Sequence, residues 1–341
     1  IQKRFEKVRR RYPQSVARFP SLPITALCDS SGLPAYTVVK NDSGVGAAET
    51  WFEISAVSYR KQQAAVAWQE RMDQILTGTK RFAVTSLSEL EKYFAALPWF
   101  AIVQANCNGL DQIWANFAHH IGGTEESAAF NRTYVDKLRL FSIALDETIE
   151  TAFGQALKVL EKFKAVKEKT LPIIPLALGG DAITLICDGQ YALEFTHVFL
   201  KAFEEQTANL KRYDGIIPEI AQHAGNCSHL SACAGVAITK PHFPFPNSYR
   251  LAAELLLEAK MVTKRVLQND NQPYPCSALD FHVVYDAAFT RLKDIREQLK
   301  VDKNRPDSQT TRLTAKPYVV TAEEILSNAE IMDIRWAKQH H

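Results

Sequence analysis

Two short stretches of this 341-residue chain carry residue types suited to phosphate and metal chemistry. One is Leu178-Gly179-Gly180-Asp181-Ala182, a glycine pair beside an acid between two apolar runs. The other is Val103-Gln104-Ala105-Asn106-Cys107-Asn108-Gly109, where an apolar run ends in an amide-rich turn. Two-metal phosphoryl chemistry needs carboxylates that converge on divalent ions clamping a triphosphate and its attacking hydroxyl. Mg²⁺ in particular favours Asp and Glu, because hard oxygens offset its charge. Glycines beside such an acid keep the backbone low enough for a nucleotide to approach.

The elements that must position these stretches follow from hydrophobic periodicity. Trp99–Val103 is a continuous apolar run, the mark of a strand buried on both faces, and Leu110, Ile113, Trp114 and Phe117 continue as a helix. Tyr134, Leu138, Phe141, Leu145, Ile149, Ala152, Ala156, Val159 and Phe163 keep a 3.6-residue rhythm that predicts a long helix over 131–166. Ile173–Leu178 and Ile183–Cys187 read as a hairpin around the glycine-rich tip. A helix over 192–210, a strand Ala234–Thr239, a helix over 248–267 and a strand Leu279–Tyr285 come next. Residues 287–341 read as two helices with a polar linker, Asp302–Thr314. Ahead of all this, 1–50 reads as a basic helix and a loop-rich stretch, and 55–78 as a helix.

Strand–helix–strand–strand–helix–strand is the ferredoxin-like βαββαβ order. The expected fold class is therefore α+β, a ferredoxin-like palm domain with added helices at both ends. The expected divisions are 1–96 (helical and loop-rich), 97–286 (palm) and 287–341 (helical extension). This superfold hosts many functions, so the site has to be argued from its residues.

Composition narrows the options. With 40 Lys+Arg against 38 Asp+Glu, the net charge of +2 gives no global field for nucleic acid. The crowd Lys3, Arg4, Lys7, Arg9, Arg10 and Arg11 reads as a solvated helix face. No apolar run reaches the roughly 18 residues of a membrane span. The start at Ile1 leads to the expectation of residues upstream, and the lack of an n-region and h-region to a cytoplasmic location. The six cysteines are scattered and are expected as reduced thiols.

Four motifs in order carry a family resemblance. Leu178–Leu185 is similar to the Gly-Gly-Asp-Asp hairpin of the large polymerase–cyclase subunit of type III CRISPR effector complexes, a cousin of the GGDEF hairpin of diguanylate cyclases. Val103–Leu110 resembles that family's first palm strand, which ends Ala-Asp-x-Asn/Asp-Gly. Cys233–Ile238 with His242-Phe243-Pro244 resembles its Ser-Ala-Gly strand and following loop, and Leu251–Lys260 its Leu-Ala-x-Glu-Leu-Leu helix. The resemblance implies Asp181 as catalytic residue and metal ligand. It implies nucleotide contacts from Asn106, Cys107, Asn108, Gly109, Gly179, Gly180, Asp181 and Lys260, the last as a phosphate-contacting lysine.

The departures matter more. Asn106 stands where the family places a metal-binding Asp, and Ala182 where the hairpin has its second Asp. Losing two charges should remove several kcal/mol of metal affinity, at roughly 1.4 kcal/mol per tenfold of binding. Mg²⁺ or Mn²⁺ binding is thus expected to be weakened, while ATP or another nucleotide remains an expected ligand. Cys28-Asp29-Ser30-Ser31-Gly32 resembles half of the zinc knuckle that often precedes this palm, and one thiolate cannot hold a tetrahedral zinc. His223, Cys227, His229 and Cys233 have ligand-like spacing but match no standard structural site, so zinc is not expected. His119-His120 reads as the end of a helix and His282 as a structural histidine in the last strand.

The implied function is that of a CRISPR or related antiviral-defence palm protein, catalytically impaired. It would act by nucleotide binding or as a subunit of a ribonucleoprotein effector complex, with effector subunits and guide or target RNA as partners and no membrane. One alternative is an active metal-dependent nucleotidyltransferase making cyclic or linear oligonucleotides from ATP or GTP using Asp181 and an acid not placed by sequence. The other is a purely structural scaffold subunit.

Overall fold

The computed structural model describes residues 25–40, 51–76, 82–83, 98–123, 127–160, 170–171, 173–264, 266–267, 276–285, 291–298, 300–301, 311–312, 316–321 and 330–331. The basic stretch 3–11 and Phe163 lie outside them. Two units form, residues 1–72 and 73–341. No helix among the described residues is long and apolar enough to cross a membrane.

In the first unit, β1 (Ala35–Lys40) and β2 (Trp51–Ser55) pair antiparallel and lead into α1, Ala56–Leu76. The hairpin has no counterpart in the expectations from sequence. Its β1 alternates half-buried and exposed positions in Ala-Tyr-Thr-Val-Val-Lys, but a glycine-rich loop-like setting masks that period. The half-knuckle is a tight turn: Cys28 N–H donates to Leu33 O at 2.8 Å, with Gly32 at φ 64. The sulfur of Cys28 lies 3.4 Å from Ser30 Oγ, so hydroxyls surround it in place of further ligands.

The second unit is α+β. Its strands are β3 (Phe100–Cys107), β4 (Ile173–Gly179), β5 (Ala182–Asp188), β6 (Ala232–Thr239), β7 (Ala278–Val283) and β8 (Tyr318–Val319). Between them run α2 (Leu110–Ala115), α3 (Phe117–His120), α4 (Ala128–Leu160), α5 (Ala192–Thr207), α6 (Ile216–Gly225), α7 (Phe245–Lys260) and α8 (Leu292–Gln298). The six-stranded sheet has the order β8-β7-β6-β3-β5-β4. Its core quartet β6-β3-β5-β4 is antiparallel throughout, the order and directions of a βαββαβ unit. An appended helix and strand, α7 and β7, add a parallel pairing to β6, and β8 closes that side antiparallel.

Both faces of the central strands are covered, which is why β3 opens on a continuous apolar run and β6 is buried along its whole length. On one side Phe100, Ile102, Ile186 and Ala237 pack with Leu251, Ala252 and Leu255 of α7. The 33-residue α4 buries Phe141, Leu145, Ile149, Phe153, Ala156 and Leu160, and Phe153 meets Phe195 of α5 with ring centres 5.9 Å apart. Segment 287–341 departs from a helices-only reading. Alongside α8 it supplies β8 and the two-residue strands Lys300–Val301, Thr311–Arg312 and Glu330–Ile331, all too short to show a period.

Gly235, in the middle of β6, sets the depth at which α7 lies. A Cβ there would stand 2.2 Å from Ala252 O and 2.3 Å from Leu256 N, both backbone atoms of α7. A glycine inside a strand marks such a close approach. Gly235→Ala is expected to destabilise the unit by about 3 kcal/mol, because the helix backbone cannot step aside as a rotamer would. Chemical denaturation measures this.

On β7, Asp280 is 1% exposed and accepts from Arg296 of α8 at 2.5 and 2.7 Å. His282, two residues on, is held down to about 4 by burial first and then by the Lys316 and Arg296 charges. A depressed histidine contributes stability above its unfolded value near 6.5, and loses it as pH falls toward 4. Thermal melts of parent and His282→Gln measure that share: the parent should lose more stability, or gain less, than the variant as pH falls across the window.

Candidate functional site

The antiparallel register sets Asn106 of β3 opposite both Ala182 of β5 and Cys233 of β6. The end of β3, the β4–β5 tip and the start of β6 therefore meet at one edge. Cys107 N–H donates to Asp181 O at 2.8 Å, and Asn108 N–H donates to Ser231 O at 2.9 Å. Lys260 reaches the same corner from the last turn of α7.

Asn106 is the hub. Its Nδ2 donates to Asp181 Oδ2 at 2.8 Å, and its Oδ1 accepts from Lys260 Nζ. The partners fix the amide's orientation, since the flipped form would set a nitrogen against an ammonium and an oxygen against a carboxylate. Lys260 Nζ also donates to Cys107 O at 3.4 Å. Lys260, Asn106 and Asp181, each half-buried, thus form a line of ammonium, amide and carboxylate whose charges sum to zero.

The hairpin tip is tied down by a residue that the sequence reading did not single out. Gly180 N–H donates to Asp146 Oδ1 of α4 at 3.0 Å, with Gly180 at φ 68 and Gly179 at φ 128. Those backbone angles are why glycines stand here. Asp146 gives no local signal: it is one acid on a long helix, and only the fold brings it to the tip. Ser231 is similar; its Oγ accepts from Asn108 Nδ2 at 2.9 Å, and Cys276 O accepts from the same nitrogen at 3.2 Å.

All the sequence-assigned residues come together, but several are occupied. The amides of Cys107, Asn108 and Gly180 already have partners inside the protein. The Cys107 side chain is buried, its thiol pushed up to about 12 by burial first and then by the Asp181 charge. Gly109, exposed at φ 67, opens the short α2, and Gly180 is exposed at the tip.

The residues present do not fit a two-metal centre. Ala182 has no donor atom, Asn106 gives its oxygen to Lys260, Asp181 at the β4–β5 tip accepts from Asn106, and Asp146 is held by the Gly180 amide. Among the described residues no group of three His, Cys, Asp or Glu side chains could hold a metal ion. Of the other spacing considered, Cys227 and His229 meet, with Sγ 3.1 Å from Nδ1. Cys233 instead lies inside β6, and His223 is exposed on α6.

No family model matches the chain, and no curated protein does. Solved structures do. The chain is similar to a chain of the Csm1-Csm4 cassette in complex with cA4, at 13% identity and TM-score 0.32. The likeness to the cassette in complex with AMPPNP, and to the Csm1-Csm4 subcomplex in the type III-A CRISPR-Csm interference complex, is 14% identity at TM-score 0.32. Each match covers 52% of this chain and 22% of the other. So weak a likeness leaves the chemistry to be read from the site's own residues.

Asn106→Asp would set a second carboxylate against Asp181. Like charges at contact raise the affinity of one for a proton. The variant should lose about 1–2 kcal/mol at pH 7 relative to the parent and gain a stabilisation by millimolar Mn²⁺ that the parent lacks. Melting curves with and without Mn²⁺ measure both.

Proposed function

We propose that this chain is a catalytically silent palm-like domain that binds a nucleotide through Lys260 and the neighbouring hairpin, and serves as a subunit of an antiviral ribonucleoprotein assembly of the CRISPR type. The observation that carries the reading is the Asn106 amide, which bridges the Lys260 ammonium and the Asp181 carboxylate. In an active centre that space needs a cation between acids. Here hydrogen bonds within the protein balance the charge, and no metal is called for.

The four sequence motifs support the kind of assembly. The site supports the loss of catalysis, because phosphoryl transfer between nucleotides depends on metal-bridged oxygens and positioned charge. Nucleotide binding asks less: an ammonium able to turn from Asn106 Oδ1 toward a phosphate, beside the exposed Gly109 and Gly180. The fixed amides of Cys107, Asn108 and Gly180 favour a second reading, a scaffold subunit with a closed corner.

Calorimetry with ATP separates the two. Binding that is unchanged by EDTA and about tenfold weaker in Lys260→Ala supports the first. No heat and no thermal shift at millimolar ATP supports the scaffold. Incubation with ATP, GTP and Mn²⁺ tests silence itself: a cyclic or linear oligonucleotide that disappears in Asp181→Ala would overturn it.

A further inference from the structure

Away from the corner, the loop between α6 and β6 holds a cysteine and a histidine in direct contact. α6 ends at Asn226, whose left-handed backbone (φ 52) reverses the chain. Cys227 and His229 then both turn inward, 7% and 4% exposed, with Sγ 3.1 Å from Nδ1. At that separation the two side chains are hydrogen-bonded, and a proton between them can sit on sulfur or on Nδ1.

The surroundings favour moving that proton to the ring. Burial opposes a charge on His229, but the hydrogen bond from Cys227, the Cys227 charge and the Glu204 charge outweigh it and raise the imidazole. Glu204, on α5, is 7% exposed. Its Oε1 accepts from Ser277 N–H at 3.2 Å and from Thr321 Oγ1 at 2.6 Å, both neutral donors. The other titratable groups near Glu204, Cys233 and Cys276, are buried thiols pushed upward by desolvation, so they add no charge. A nucleophile, a base and an acid that stabilises the charged base make up an activated thiol.

We propose that Cys227 and His229 form a thiolate–imidazolium pair that reacts with hydrogen peroxide, making Cys227 a site of reversible oxidation. The sulfur attacks one peroxide oxygen and the O–O bond breaks. Sulfur is oxidised to sulfenic acid and the peroxide reduced, and the departing hydroxide takes the imidazolium proton to become water. Two donors are too few for a structural metal, which leaves the pair's nucleophilic chemistry as its distinguishing property. The buried Cys107, Cys187, Cys233 and Cys276 serve as internal controls, since burial raises all four thiols.

The test treats the folded chain with hydrogen peroxide at pH 7, traps sulfenic acid with dimedone and locates it by peptide mass spectrometry. Cys227 should label at least about tenfold faster than the four controls, and His229→Gln should slow it by about tenfold. Labelling at the control rate, or a rate unchanged in His229→Gln, overturns the proposal. The pH profile of Cys227 alkylation by iodoacetamide in the parent protein gives a check that needs no variant. A rate still near its plateau at about pH 6 supports the pair, and a rise centred at the ordinary thiol value near 8.5 overturns it.

Discussion

One amide holds the corner of this protein together. Asn106 is a neutral side chain that can donate and accept at once, and it sits between a cation and an anion that would otherwise each require a partner. A half-buried carboxylate and a half-buried ammonium are costly apart; joined through an amide they make a short polar network in which each member has a partner. With an acid in that place the same fold would be under electrostatic tension that divalent ions relieve. With the amide it is at rest.

Reaching this arrangement takes much of the sheet. β3 carries Asn106 to the edge, the β4–β5 hairpin carries Asp181 beside it, and α7 brings Lys260 across the other side. The last depends on Gly235, since a larger residue there would lift α7 off the sheet. From the opposite layer α4 fixes the hairpin tip through Asp146. Strands, helices and corner are thus one mechanical unit, in which the position of each polar atom follows from packing several residues away.

The sequence made the frame legible wherever period and length were decisive. β3, α4, the hairpin and β6 announce themselves as apolar runs or a sustained helical rhythm, and Gly179-Gly180 marks its turn. Asp181, Asn106 and Lys260 were recognisable as a group by motif, and they do converge. What escaped was contact between distant elements. That Asp146 takes the Gly180 amide, or that Ser231 receives Asn108, depends on helix placement and strand register, which no local pattern encodes. Short strands such as β8 also escape, because two residues cannot display a period. The Cys227–His229 pair shows the converse: its spacing invited a metal reading, while the fold sent Cys233 into a strand.

β4, at the outer side of the sheet, holds Pro175, and its pairing with β5 slips between Pro175 and Ala177. Proline offers no N–H, and a bulge bends the row of outward carbonyls and amides away from a straight template. A foreign strand laid along that side would find an interrupted ladder. That side of the sheet is therefore a poor template for edge-to-edge addition. Backbone pairing with another chain along β4 is disfavoured by the same interruption.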